Sequence, residues 1–222
     1  MQYLFHSEAS SSSLSLKGDE HRYIFKVRRH REGETIALRN LKDNSIYFYK
    51  IVSIDKKEAY LLLENSKVLD ISVKRKLHIA WCVIDPKSIE KVLPSLNEIG
   101  VDSITFIYCE RSQKSFKLDF KRLEKILLNS SQQSGRSSFI KLYMGKDLSS
   151  FLKENPSAVM LNFSENTLNK ESSIDTFVVG CEGGFTTNEV AMFNSKNIIG
   201  LDTPLILKSE SAICAIASKL LL

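Results

Sequence analysis

Apolar and polar positions follow two rhythms along the chain, and the change between them falls near residue 73. Before it, short runs at 23–27, 35–38, 45–52 and 59–63 alternate apolar with polar residues, the period-two pattern of half-buried strands. Turn-forming residues at 32–33, 42–44 and 55–57 separate them, so residues 1–72 predict a small β-barrel. The serine run at 10–13 reads as a flexible loop. Residues 73–76, Val-Lys-Arg-Lys, carry charge without an apolar period and read as a linker. From residue 77 onward, apolar β-rich runs at 77–84, 103–109, 139–143, 158–163, 176–180 and 197–201 alternate with helical stretches at 86–99, 119–134, 146–154, 187–194 and 209–222. That alternation predicts an α/β domain over 77–222 built on a parallel sheet. Pro86 is well placed as a first helical residue.

The densest chemistry lies at 176–189. Phe177, Val178 and Val179 form a short β-branched run that suits a central parallel strand. Gly180, Gly183 and Gly184 follow and let the backbone turn tightly and approach a ligand closely. Thr186 and Glu189 spell a capping box, so a helix starts there. Ligands of open α/β sheets sit at this place, beyond the carboxyl end of a strand. The glycine spacing is not G-x-G-x-x-G and no P-loop lysine follows. Asp202 lies about 20 residues on, as a dinucleotide site wants, but Glu182 inside the loop would repel a pyrophosphate. A second strand, turn and helix start comes at 197–212, with Ser209 as a candidate N-cap. Ile213, Ile216, Ala217 and Leu220 then share one helical face.

These two loops carry a resemblance. G-C-E-G-G-F at 180–185, followed by L-I-L-K-S-E-S-A at 205–212, is similar to the paired signature G-P-E-G-G-F and R-I-L-R-T-E-T-A. That signature belongs to the bacterial 16S ribosomal RNA uridine-N3 methyltransferase family, a branch of the trefoil-knotted SPOUT methyltransferases. H-R-Y-I-F-K-V-R at 21–28 with Gly33, similar to the family's H-x-x-x-x-V-L-R-x-x-x-G, together with E-I-G-V at 98–101, E-R-S at 110–112 and Q-Q-S-G-R at 132–136, resemble further family blocks in the same order. The chain departs from the pattern at Cys181 (proline in the family), Thr203 (glycine), Leu205 and Lys208 (both arginine) and Gln132 (glutamate). Lysine keeps the charge of arginine but loses its planar fork.

The resemblance implies a PUA-like RNA-binding barrel, a knotted methyltransferase domain, S-adenosylmethionine as methyl donor and a homodimer whose sites are completed at the subunit interface. It implies methylation of uridine N3 in 16S ribosomal RNA of the small ribosomal subunit. N3 bears a proton and pairs with adenine, so the base must be unpaired and deprotonated before its nitrogen can attack the donor methyl. Candidates for the donor site are Leu161, Asn162, Phe163, Gly180, Glu182, Gly183, Gly184, Leu201, Leu205, Leu207 and Ser209. Lys208 and the start of the last helix are suited to stabilising a uracil anion. Glu210 and Glu182 are candidate bases. Arg136 is a candidate for chemistry or for RNA. Arg28, Arg29 and Arg31, with Arg111, are suited to holding RNA phosphates. An RNA-binding module without catalysis and a dinucleotide-dependent enzyme are the alternatives.

Composition changes this picture little. The 222 residues include 43% hydrophobic and 26% charged types with a net charge of +5, which permits an RNA partner without demanding one. Four cysteines without a C-x-x-C pair fit reduced, mostly buried thiols in a cytoplasmic chain. The four histidines form no cluster with metal-ligand spacing. Neither a signal peptide nor a membrane span is legible.

Overall fold

The computed structural model describes residues 2–222 and divides into two compact units. The first comprises the described residues up to Ser72 together with Ser131–Ser138; the second comprises Val73–Ser130 and Phe139–Leu222.

In the first unit, strands β1 (Leu4–Phe5), β2 (Ser13–Lys17), β3 (Thr35–Arg39), β4 (Ser45–Ile54) and β5 (Glu58–Val68) form one sheet in the order β1-β3-β4-β5-β2. All its pairs are antiparallel except β1 with β3. Two register shifts in the β4/β5 pair, at Phe48/Tyr49 and Ile51/Ser53, bend the longest strands and curl the sheet into a half-barrel. Its core holds Leu14, Leu16, Ile24, Leu38, Tyr49, Ile51 and Leu61. Two expectations fail here. Ser13 ends the serine run but begins β2, because Leu14 and Leu16 alternate with it and are buried. Residues 22–27 are a π-helix rather than a strand. They continue a helical turn, α1 (Gly18–His21), whose first turn carries Asp19 and Glu20. The Arg28 amide bonds back to the Tyr23 carbonyl at 2.9 Å, the i→i+5 spacing of a π turn. Only Ile24 of these six residues is buried, so a strand's two-faced burial was never available.

Residues 131–138 complete this unit. The Tyr3 amide donates to the Gln132 carbonyl at 3.1 Å, the Phe5 amide to Gln132 Oε1 at 2.7 Å, and the Tyr3 hydroxyl to the Arg136 carbonyl at 2.8 Å.

The second unit is a six-stranded, wholly parallel sheet. In chain order it runs β6 (His78–Cys82), α2 (Pro86–Ile99), β7 (Ser103–Ile107), α3 (Phe120–Ser134, its last turn counted with the first unit), β8 (Lys141–Met144), α4 (Leu148–Glu154), β9 (Val159–Leu161), β10 (Thr176–Val179), α5 (Thr187–Val190), β11 (Ile198–Ile199) and α6 (Ser209–Leu221). The strand order is β11-β9-β10-β6-β7-β8. Asp85 caps α2 through the Ser88 amide at 3.0 Å with Pro86 next, and Gly100 ends it at φ 110°. A Cβ on Gly100 would lie 2.6 Å from Val73. Central strands β6, β7 and β10 are buried nearly throughout, as a sheet covered on both faces requires. Trp81 and Phe106 stack at 6.0 Å between centroids in its core.

The thiol expectation is corrected in part. Cys82 and Cys109 are joined by a disulfide, while Cys181 and Cys214 are free. Parallel pairing sets Cys82 opposite Ile107, two residues short of Cys109. Their Cα atoms are 5.7 Å apart, within bonding reach. No spacing rule linked two residues 27 apart in sequence.

Candidate functional site

Three neighbouring strands end level with one another. Leu161 of β9 is in register with Val179 of β10 on one side and Ile199 of β11 on the other. Their outgoing loops, at 162–168, 180–186 and 200–208, therefore leave from one edge of the sheet. The first and third are laced together: the Asn162 amide donates to Ile199 O at 3.0 Å, Gly200 N to Asn166 O at 2.7 Å, and Leu168 N to Gly200 O at 2.9 Å. Gly200 is required by this approach, since an added Cβ would meet the Ser164 carbonyl oxygen at 2.7 Å. In the glycine loop, Gly184 sits at φ 66°, which favours glycine, and its amide closes a turn on Cys181 O at 2.9 Å.

Ser209 ties the third loop to the second. Its hydroxyl donates to the Gly180 carbonyl and accepts from Trp81 Nε1 at 2.8 Å. This corrects the expectation that Ser209 caps the helix. Lys208, extended at ψ 156°, is the N-cap residue and makes no side-chain cap bond, while the serine hydroxyl one residue on is committed across the two loops. Between these fixed ends the chain leaves Leu205 70% and Leu207 36% exposed, with Phe163 79% exposed on the first loop. Apolar side chains beside backbone amides and carbonyls are the kinds of group that small-molecule sites combine.

A further contact set went unread in the sequence. Glu189 is buried, and its two carboxylate oxygens accept from Glu110 N at 2.8 Å and Thr186 N at 2.9 Å. The capping box thus forms as expected and also fastens the 110–112 loop. Arg111 Nη1 donates to Gly183 O at 2.7 Å, so this nominated RNA contact lies on the glycine loop. Trp81 was missed altogether, although as the one tryptophan of the sequence its indole N–H demanded a partner wherever it was buried.

Of the other nominated residues, Lys208 and Glu182 are exposed and Glu210 is half-buried in the first turn of α6. Burial, with a smaller contribution from Glu210, pushes the thiol of Cys214, one turn later, upward from its ordinary value. Arg136 belongs to the first unit, 9% exposed. There burial, only partly offset by Arg39 and Arg136, pushes the Tyr3 phenol up to about 12. Arg28 lies over the Tyr23 ring at 5.0 Å and donates to the Tyr23 hydroxyl and Gln2 Oε1, while Arg29 and Arg31 are exposed. Among the described residues no group of three His, Cys, Asp or Glu could hold a metal, and no helix is long and apolar enough to cross a membrane.

A curled β-unit followed by a parallel α/β unit is the domain pair that two family models of RNA methyltransferases match in this chain. Residues 72–221 match the family model described as an RNA methyltransferase domain, and residues 16–64 match the RNA methyltransferase PUA domain. The ribosomal RNA small subunit methyltransferase E of Helicobacter pylori strain 26695 is 34% identical over 98% of both chains, and its counterpart in Aquifex aeolicus is 25% identical over 99% of both. The chain belongs to the ribosomal RNA small subunit methyltransferase E family. The Neisseria gonorrhoeae member of that name, solved bound to S-adenosyl methionine, shares the fold at a TM-score of 0.81 over 98% of this chain and 95% of its own, with 19% identity. A Legionella pneumophila methyltransferase solved with bound cofactor SAM aligns at 0.79 over 98% and 94%, with 22% identity.

Proposed function

We propose that this chain, working in the cytoplasm as a homodimer, uses S-adenosylmethionine to methylate N3 of a uridine in 16S ribosomal RNA of the small subunit. The residues present fit that donor. Backbone groups of Leu161, Asn162, Phe163, Leu201 and the 180–184 loop offer hydrogen bonds, and Leu205 and Leu207 offer apolar faces. When bound, the donor supplies an electrophilic methyl group on sulfur. Lys208 and the amino end of the 13-residue helix α6 hold the negative charge that spreads over the uracil carbonyls once N3 loses its proton. Glu210, two residues beyond Lys208, accepts that proton. Arg28, Arg29 and Arg31 grip phosphates. The place of Arg136 beside Tyr3 supports a role in holding the first unit together.

The observation that carries the reading is the Ser209 hydroxyl, which keeps the two loops of the family pattern on one spot. The test is transfer of labelled methyl from S-adenosylmethionine to small subunits from a strain lacking this gene, followed by mass spectrometry of the nucleosides. N3-methyluridine is expected; label in another nucleoside, or none, ends the proposal. The exposed apolar side chains of Phe163, Leu205 and Ile206 support self-association. Light scattering is expected to return twice the 25.2 kDa of one chain.

A further inference from the structure

At the other half of the parallel sheet, beyond the carboxyl ends of β7 and β8, lies a second cleft of about 400 Å³ lined by Tyr108, Lys114, Lys117, Lys146 and Asp147. Its lining shares no residue with the loops that follow β9, β10 and β11, although residues 110–111 of the loop that carries Lys114 are fastened to the segment after β10. Its walls are fixed from within the second unit. The Tyr108 hydroxyl donates to the Phe116 carbonyl and pins the 110–118 loop, and Phe116 itself packs on the core. Lys117 Nζ lies over the Tyr108 ring, 5.6 Å from its centre. On the opposite wall the Gly145 amide donates to Phe106 O at 2.8 Å. A Cβ at Gly145 would strike Ile107 at 2.8 Å, so the strand end that carries Lys146 is held close against β7.

The three ammonium groups are exposed, and among the described residues none is in an ion pair. The single acid in the lining is occupied elsewhere. Asp147 caps α4 through the Ser150 amide at 2.7 Å, and that bond, with smaller help from Lys146 and Lys153, holds its carboxyl below the usual range. It remains an anion at one side of the cleft and leaves an excess of two positive charges there. Three like charges brought round one opening repel each other, and a phosphodiester relieves that repulsion while releasing counterions from RNA.

We propose that this lysine cleft is a phosphate-backbone contact for the RNA substrate, a second grip on the catalytic unit itself, read by charge and not by base sequence. The proposal rests on the RNA methyl-transfer reading above.

The test compares the full-length wild type with the variant Lys114→Gln/Lys117→Gln/Lys146→Gln for binding to transcribed 16S ribosomal RNA across a KCl series. Each phosphate contact contributes about 0.7–0.9 to the slope of log affinity against log salt, so the variant slope is expected to be shallower by about 2. The triple arginine variant restores it. A control, Lys87→Gln/Lys91→Gln/Lys125→Gln, removes the same charge from exposed helix positions and leaves the slope unchanged. An unaltered slope in the cleft variant, or an equal fall in the control, overturns the proposal. So does lysine-dependent binding of inorganic phosphate by calorimetry without any change in the RNA slope, which would make the cleft a small-anion site. Methyl transfer with a salt slope indifferent to the three lysines rejects the cleft alone. Lysine-dependent RNA binding with no methyl transfer rejects the reaction and keeps the cleft.

Discussion

Replacing Ser209 by alanine tests whether the two loops are held by one hydroxyl. The substitution deletes an acceptor for the indole N–H of Trp81, which is fully buried, and a donor to the Gly180 carbonyl. Leaving a buried donor without a partner costs about 1–3 kcal/mol, and the second bond adds about 0.5–1.5 kcal/mol, so a loss of about 2–4 kcal/mol is expected. At about 2–4 °C per kcal/mol for a chain of this size, the melting temperature of the alanine variant falls clearly below that of wild type. Trp81→Phe removes the other partner, and in the double variant the two losses are expected to be less than additive, because an indole that is absent cannot be orphaned. Ser209→Thr retains the hydroxyl and is expected to stay close to wild type in both melting and S-adenosylmethionine affinity. Calorimetry with that ligand supplies the functional arm: the alanine variant binds it more weakly than the threonine variant. If Ser209→Ala melts within about 0.5 kcal/mol of wild type and binds the ligand equally well, the clamp is not what positions the loops.

Glu189→Gln leaves one carbonyl oxygen to serve two amides, those of Glu110 and Thr186. A loss of about 1–3 kcal/mol and a raised KM for S-adenosylmethionine are expected; unchanged values would show that the 110–112 and 180–186 loops stand independently. Gly200→Ala places a methyl group against the Ser164 carbonyl, and a destabilisation of about 1–3 kcal/mol by urea melting checks that the approach is as close as described. Burial pushes the His78 imidazole below its ordinary value, outweighing the pull of Asp102. The unfolded chain then binds the extra proton more readily, so stability falls as pH drops below about 6.5 and levels off only under the depressed folded value. His78→Gln is expected to flatten that part of the profile in urea melts; an unchanged slope assigns it to another group.

Much of the architecture was legible because local signals agreed with tertiary need. Helix α2 begins at Pro86 and ends before Gly100 as its residues dictate, and the Thr186 to Glu189 capping box is written in the sequence. What escaped was decided by contacts over long separations. Tyr23, Ile24, Phe25 and Val27 have strand-like chemistry, yet they extend a helix nucleated just before them. Ser209 has the chemistry of a cap and spends it on Gly180, and Cys82 and Cys109 lie together only through the pairing of β6 with β7. Likewise, nothing in the periodicity of 119–134 announces that Gln132 supplies acceptors to Tyr3 and Phe5.

That last pairing bears on synthesis. On a ribosome the amino-terminal sheet emerges long before residue 138, and until then Tyr3 and Phe5 have no carbonyls to meet. Nascent-chain folding of the first unit should therefore lag its own last strand. A polypeptide cut after residue 72 would be missing a strip of its own wall, so no single cut separates two self-sufficient halves.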